Sequence, residues 1–198
     1  MARTGTTNPT RERILDVALD LFVRKGYAEA SLREIAAELG FSKAALYYHF
    51  ESKQDILMAL HMRVHSITAD VLPVLEAGTD VDETWRRLVD VLIGLTLRHR
   101  RLLELHLKNQ DAIAELHTEP ARAKHGPFVT EIQDQLMGLI LDPSVPVDGR
   151  IRRIATLGAI AGVLLGASTY EDLADAELEA SLRGIAGDLV GRDPTAGS

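Results

Sequence analysis

The spacing of apolar residues in this chain matches the period of an α-helix, and residues that begin or end helices interrupt it at short intervals. Near the start, five apolar residues recur on one helical face: Ile14, Val17, Ala18, Leu21 and Phe22. Gly26 follows them as a helix terminator. No stretch alternates apolar and polar residues with the period of two that half-buried strands show. The pattern therefore predicts an all-α fold of about nine helices.

Capping signals predict a compact group of helices near the amino end. Two serine–acid pairs have the spacing of a capping box: Ser31 with Glu34, and Ser52 with Asp55. Ser42 can cap a short helix between them, and Gly40 permits the positive φ of a tight turn. We therefore expect four helices within about seventy residues, with a helix-turn-helix spanning roughly residues 31–50.

The third of these helices presents a face that suits a DNA groove. Leu46 and Phe50 would hold it against the second helix, so we expect both to be buried. The opposite face carries small and aromatic residues: Ala44, Ala45, Tyr47 and Tyr48. Small residues allow close approach to a major groove, and apolar groups can contact thymine methyls. Donors for bases or phosphates surround this face: Ser42, Lys43, Tyr48, His49 and Lys53.

The tetracycline-repressor (TetR) family has an N-terminal domain similar to one segment of this chain, about a quarter of its length: Glu12 to Leu57, ERILDVALDLFVRKGYAEASLREIAAELGFSKAALYYHFESKQDIL. The resemblance implies a homodimer that binds a palindromic operator in double-stranded DNA, usually as a repressor, and that a small effector releases. It implies eight residues that contact the operator or hold its backbone: Ser31, Ser42, Lys43, Ala44, Tyr47, Tyr48, His49 and Lys53. Ala44 and Ala45 stand where many members carry hydrogen-bonding residues, so direct base readout would be sparse.

Charge divides the chain into two parts. The net charge is −7, but the first 65 residues hold nine Lys/Arg against eight Asp/Glu, and the rest hold thirteen against twenty-one. Because an acidic surface repels phosphates, only the N-terminal part is suited to DNA. We expect a three-helix DNA-binding domain over 1–52 with a flexible arm over 1–9, a larger effector-binding and dimerisation domain over 53–191, and a frayed tail over 192–198.

Glycines in the penultimate helix point to a dimer. Gly158, Gly162 and Gly166 repeat every four residues, and each costs about 1 kcal/mol of helix propensity relative to alanine. Close approach by a partner helix would offset this cost, whereas a purely intramolecular bundle is the alternative. We predict a homodimer interface of eight residues on the last two helices: Gly158, Gly162, Leu165, Gly166, Leu178, Leu182, Ile185 and Leu189.

The C-terminal part contains few aromatic residues, so we expect a mostly aliphatic pocket for a small hydrophobic effector. Five residues are candidates for it: Trp85, His99, Leu103, His106 and Gln110. His61 and His65 have a spacing compatible with zinc, but no third ligand is evident. We therefore predict no metal and no cofactor.

Several classes of protein are disfavoured. The chain has no cysteine, which excludes disulfides and thiolate chemistry, and no signal peptide is evident. Its longest uncharged apolar stretch, residues 154–168, is shorter than the ~20 residues of a membrane span, so we expect a cytoplasmic protein. No nucleophile–base pair marks an enzyme. The alternatives are a helix-turn-helix regulator without an effector and, less favoured, an all-helical enzyme. The effector, the operator and the sign of regulation are not encoded in these patterns.

Overall fold

A computed structural model describes residues 8–78, 80–116, 132, 134–166 and 174–190, and within these ranges it is helical and contains no strand, which confirms the all-α prediction. The elements follow in chain order: α1 (Pro9–Lys25), α2 (Leu32–Leu39), α3 (Lys43–His49), α4 (Lys53–Thr68), a 3-10 turn (Ala69–Val71), α5 (Leu72–Ala77), α6 (Val81–Arg98), α7 (Arg100–Lys108), α8 (Gln110–Leu116), α9 (134–140), α10 (Val147–Leu165) and α11 (Asp175–Val190). None of the described helices is long and apolar enough to span a membrane.

Side-chain caps fix the starts of the N-terminal helices as the sequence predicts. Both capping boxes are formed. The Ser31 and Ser52 hydroxyls each accept from the backbone amide three residues on, and the acid at that position accepts from the backbone amide of the serine. Asn8 caps α1, so the last two residues of the predicted arm already belong to a helix start. The rest of that arm and the tail over 192–198 lie outside the described residues. The helical spacing of Leu136, Leu139 and Ile140 predicts a helix that begins near Pro127; its start lies outside the described residues, and α9 covers its later part.

Three boundaries differ from the prediction. The helical spacing of apolar residues from Leu102 to Leu116 predicts a single helix, but the structure breaks it into α7 and α8 at Asn109. The side-chain amide of Asn109 donates to the carbonyl of Leu105 at 2.8 Å and so ends α7. Residues 72–77 form α5, where no helix was predicted. The predicted loop over 142–149 is shorter, because α10 begins at Val147, directly after Pro146.

Two hydrophobic clusters form the core. The first joins α1–α4 to α7 and α8, with Phe22, Leu46 and Ile56 among its most buried members. The second lies between α5, α6, α9, α10 and α11 and surrounds Trp85 and Leu88. The proposed domain boundary at residue 52 stays a prediction, but the packing shows that α4 shares a core both with the N-terminal helices and with α7 and α8. The helix that follows the helix-turn-helix is therefore in direct contact with α7.

Candidate DNA interface

The turn between α2 and α3 sets the direction in which α3 points. Gly40 has a φ of +68°, a left-handed conformation that favours glycine. The Phe41 amide donates to the Ala36 carbonyl at 2.9 Å, and the Ser42 hydroxyl then caps α3 by accepting from the Ala45 amide at 3.1 Å. Leu46 and Phe50 are buried, as predicted. This fixes α3 by one face and leaves its other face outside the molecule.

The outer face of α3 is aromatic and carries one cation. Tyr48 is 86% exposed and Tyr47 is 41% exposed, so neither ring serves as core. The Lys43 ammonium lies 5.4 Å from the centre of the Tyr47 ring. Tyr48 makes an edge contact with His49, which is half-buried, while Ser42, Lys43 and Ala44 are exposed. All six predicted contact residues of this segment therefore reach the same surface, and their contacts with DNA stay predictions.

Ser31 serves as the cap of α2. Its hydroxyl lies 2.6 Å from a Glu34 carboxylate oxygen, and its amide donates to the same oxygen at 2.9 Å. Lys25 also donates to Glu34. The hydrogen bonds from Lys25 and Ser31 lower the pKa of Glu34 to about 2, because they stabilise the charged carboxylate. Ser31 thus holds the start of the helix-turn-helix, whether or not it also touches a phosphate.

Lys53 has a role that its sequence position did not reveal. Its ammonium donates to three backbone carbonyls, those of Tyr27 at 2.7 Å and of Ala28 and Ala30 at 2.9 Å. An ammonium has three N–H donors, so the phosphate contact predicted for Lys53 would require one of these bonds to be exchanged. Lys53 ties the start of α4 to the loop that precedes α2. The sequence could not reveal this role of Lys53 because its partners are backbone atoms.

Arginines around α1 complete this arrangement and were not among the predicted residues. The Arg11 guanidinium lies 4.2 Å from the centre of the Phe50 ring, at the end of α3. Arg63 of α4 pairs with Glu12 at 2.5 Å and with Asp16 at 2.8 Å on α1. Burial lowers the pKa of Arg63, but its hydrogen bonds to Asp16 and Glu12 outweigh that effect and raise it above the ordinary value. These contacts fasten α4 to α1.

The five effector candidates are divided between the two cores. Trp85 is buried in the second cluster, and its indole nitrogen finds no acceptor among the described residues. Leu103 packs against the first cluster, and His106 contacts His61. His99 is half-buried at the joint between α6 and α7, while Gln110 is exposed at the start of α8. The effector role of all five stays a prediction.

The predicted dimer residues also separate into two groups. Gly158, Gly162, Leu165 and Ile185 are exposed, while Gly166 and Leu189 are half-buried. Leu178 and Leu182 are wrong as interface residues, because they are 4% and 2% exposed within the second core of their own subunit. Every fourth residue of α11 faces inward where the helix packs on α6: Leu178, Leu182 and Ala186. This leaves Ile185 on the outer side.

No group of acidic or histidine side chains in the described ranges has the geometry to hold a metal ion. The three histidines that come closest to forming a metal site contact each other in a row. His61 lies between two other rings and meets each of them through a different nitrogen, His106 at 3.1 Å and His65 at 2.8 Å. One ion cannot bind both of these nitrogens of His61 together with the other two rings.

Comparison with known proteins gives the same picture as the geometry. The family described as bacterial regulatory proteins, tetR family, matches residues 14–60. The HTH-type transcriptional regulator AcrR of Shigella flexneri is 49% identical over 164 residues, covering 78% of this chain and 76% of AcrR. The HTH-type transcriptional activator FasR of Mycolicibacterium smegmatis is 31% identical over 158 residues, covering 77% of this chain and 70% of FasR.

The solved structures agree on the fold. A bacterial regulatory protein of the tetR family from Rhodococcus RHA1 matches with a TM-score of 0.70 at 19% identity, covering 94% of this chain and 100% of that one. The relatives are named as transcription regulators, which confirms that this chain is not an enzyme. With an exposed recognition helix and extended similarity to AcrR, this chain belongs to the TetR family of DNA-binding transcription regulators.

Proposed function

We propose that this protein is a cytoplasmic repressor that binds a palindromic operator as a homodimer and leaves it when a small hydrophobic effector binds. The observation that carries the proposal is the outer face of α3, where two tyrosines, two alanines and a lysine stand clear of the core. A face that is neither buried nor strongly charged is unusual on a surface helix, and it suits the apolar edges of bases.

Base recognition on this face would depend on rings and small residues. Tyr47 and Tyr48 can pack on thymine methyls, and their hydroxyls can donate to bases or phosphates. Lys43 in the first turn of α3 is the cation that can reach a guanine or a phosphate, and Ser42 and His49 can donate at either end. Ala44 allows the helix backbone to come close to the groove. We expect preferences to come from methyl contacts and groove shape more than from bidentate pairs.

Dimerisation is supported by an apolar stripe on the outer side of α10. Six residues fall within an arc of about 80° at 100° per residue: Val147, Ile151, Ile154, Gly158, Gly162 and Leu165. The four large side chains are 51–62% exposed. A side chain added at Gly158 or Gly162 would meet nothing within 4 Å, so packing within the subunit does not explain these glycines. Close approach by the α10 helix of a second subunit would explain them.

An effector is supported by the composition of the second core. The core is aliphatic around Trp85, whose buried indole N–H would gain an acceptor from a ligand. An open groove of about 240 Å³ runs between α6 and α11 over Val89, Ile93 and Ala186. Of the five candidate residues, Leu103 and His106 on α7 are the ones that could pass a displacement on to α4.

The sign of regulation has a test of its own. Repression is the usual behaviour that the family resemblance implies, whereas the relative FasR is named as an activator. A reporter fused to a promoter that contains the selected operator separates the two signs. Repression predicts that expression rises when this protein is deleted, and activation predicts that it falls.

Selection from a random duplex library tests the DNA-reading role. We expect enrichment of a palindrome, and we expect the double variant Tyr47→Ala, Tyr48→Ala to lose the preference while keeping its fold. A library that stays unenriched would refute the assignment of α3. Thermal-shift screening against hydrophobic metabolites tests the effector, because a ligand of the native state raises the melting temperature. Intact DNA binding with no ligand response would favour a regulator without an effector.

A further inference from the structure

Three histidines form a connected row between α4 and α7, and the proton-binding capacity of this row is not part of the proposed function. The histidine chain is defined as His65 and His61 on α4 with His106 on α7. The Nε2 atoms of His65 and His61 lie 2.8 Å apart, and the Nδ1 atoms of His61 and His106 lie 3.1 Å apart. The His61 and His106 rings are nearly parallel, at 3°. Both contacts have hydrogen-bond length, and the second joins residues 45 positions apart in sequence.

The surroundings of the His61–His106 contact disfavour charge. His61 is 5% exposed, and among the described residues six apolar side chains line the contact: Leu57, Leu60, Val64, Leu102, Leu105 and Ile113. Removing a charged imidazolium from water into such surroundings is costly. Near neutral pH the contact therefore favours rings that carry little charge.

Within the described ranges, several charged groups on the elements around the histidine chain form ion pairs of their own. Arg63 on α4 pairs with Glu12 and Asp16 of α1. Other charges on these elements are paired as follows: Arg101 with Asp20, Glu104 with Lys108, and Arg153 of α10 with Asp82. Exposed acids on neighbouring elements include Asp70 after α4, and Asp111 and Glu115 on α8. Arg100 and Arg150 each have a buried guanidinium nitrogen without an acceptor among the described residues.

The number of protons on the histidine chain decides whether it holds together. Each N···N contact needs one N–H and one lone pair. A single charged ring satisfies both contacts; for example, a charged His61 donates to both neighbours. Two charged rings cannot. If His61 is one of them, two N–H groups face each other in one contact, and if His65 and His106 are charged, His61 would have to accept on both nitrogens with no proton of its own.

We propose that the histidine chain is a pH-sensitive contact that holds α4 against α7 near neutral pH and opens as the pH falls through about 6. Histidines in an unfolded chain are mostly charged below this pH. The folded contact accepts one proton where the unfolded chain accepts three. The contribution of the contact to stability is therefore complete above pH 7.5 and is lost on acidification. Since α4 follows directly from the helix-turn-helix, its release loosens the position of α3.

Urea unfolding from pH 5.2 to 7.5, at one fixed protein concentration, tests the contact. Uptake of two protons makes the unfolding equilibrium constant of the wild type rise by up to about 100-fold per pH unit below pH 6. His106→Gln leaves two rings and one proton of uptake, so we expect about tenfold. His65→Gln should behave in the same way and guards against a variant that folds poorly. His99→Gln, the same change outside the chain, should keep the wild-type dependence.

Histidine ring spectra add a direct readout. Carbon–proton NMR of the imidazoles should show two rings of the histidine chain resisting protonation at pH 6 in the wild type, and only one of the two remaining rings doing so in His106→Gln. Equal pH dependence of unfolding in the wild type and in His106→Gln, or three rings that titrate independently, would overturn the proposal.

The consequence for DNA rests on the proposed function and has its own test. The probe is the duplex enriched by the protein at pH 7.5. A loosened α4 broadens the separation of the two recognition helices, so affinity should fall at least tenfold between pH 7.5 and 5.8 in the wild type and less in His106→Gln. An unchanged ratio between the two proteins would contradict this step. Failure to enrich any duplex would refute the proposed function, while the urea result still decides on the contact.

Discussion

The outer faces of α3 and α10 both expose apolar residues, yet they differ in what those residues can do. On α3 the exposed groups are tyrosines with hydroxyls, beside Lys43 and Ser42. On α10 they are aliphatic side chains separated by glycines, and no hydroxyl or charge lies among them. A surface that must meet phosphates and base edges needs polar groups at the ends of its apolar bodies. A surface that meets another copy of itself does not. This difference supports the proposal that the first face meets DNA and the second a partner subunit.

The largest effect is expected when a charge is placed on the α10 face. Ile154 is 53% exposed in the single subunit, so Ile154→Asp should leave the subunit folded. In a dimer it would bury an unpaired carboxylate, which costs about 3–5 kcal/mol and shifts the dimer dissociation constant by at least 100-fold. Sedimentation velocity at micromolar protein measures this. Met62→Asp, the same kind of change on an exposed residue of α4, should stay dimeric.

The attachment of α4 to the helix-turn-helix should show the next largest effect. Lys53→Met keeps the length of the side chain but removes three charge-assisted bonds to the carbonyls of Tyr27, Ala28 and Ala30. We expect a loss of about 2 kcal/mol in the free energy of unfolding, measured in urea. Lys43→Met, on the outer face of α3, serves as the control and should leave stability within about 0.5 kcal/mol. Equal stabilities of the two variants would contradict the anchoring role.

The tyrosines of the α3 face should affect DNA binding and not folding. Tyr48 is 86% exposed, so Tyr48→Ala should unfold like the wild type. Its affinity for the selected duplex should fall by about 5- to 30-fold, equivalent to about 1–2 kcal/mol of lost contact. Tyr48→Phe separates the ring from the hydroxyl, because it retains only the packing on methyl groups. Fluorescence anisotropy measures both. Unchanged affinity of Tyr48→Ala would remove this residue from the interface.

The smallest effect concerns the acid limit of the helix-turn-helix. The pKa of Glu34 is lowered to about 2 by its bonds to Lys25 and Ser31, below the ordinary value of 4.5. A carboxylate whose pKa is lowered by folding stabilises the fold at any pH above its pKa in the unfolded chain. This contribution is lost as the pH falls from about 4.5 to 2. Glu34→Gln should therefore flatten the pH dependence of stability in this window, measured by circular dichroism. A Glu38→Gln control should not.

The local parts of the fold were predictable from the sequence because their causes are local. The serine–acid pairs at Ser31 and Ser52 announce helix starts through groups three residues apart, and Gly40 announces the turn. Helical spacing predicted that Leu46 and Phe50 would be buried and that Tyr48 would not. The exposure of the α3 face follows from these few residues.

Contacts between distant parts of the chain could not be predicted in this way. The Lys53 bonds end on backbone carbonyls, which carry no residue signature. His61 and His106 meet only because α7 packs on α4, and their separation in sequence gives no periodic signal. The α11 stripe was apolar on two sides, so periodicity alone did not decide that Leu182 faces its own core while Ile185 faces out.

Footprinting at single-nucleotide resolution on the selected duplex tests the central claim most directly, since it reports how many recognition helices bind and how far apart they lie. The account predicts two protected half-sites related by a dyad, with centres one helical turn apart, about 34–36 Å, and weaker protection of both in Tyr47→Ala, Tyr48→Ala. A single unsymmetrical protected site, or two half-sites that the double variant protects as well as the wild type, would contradict it.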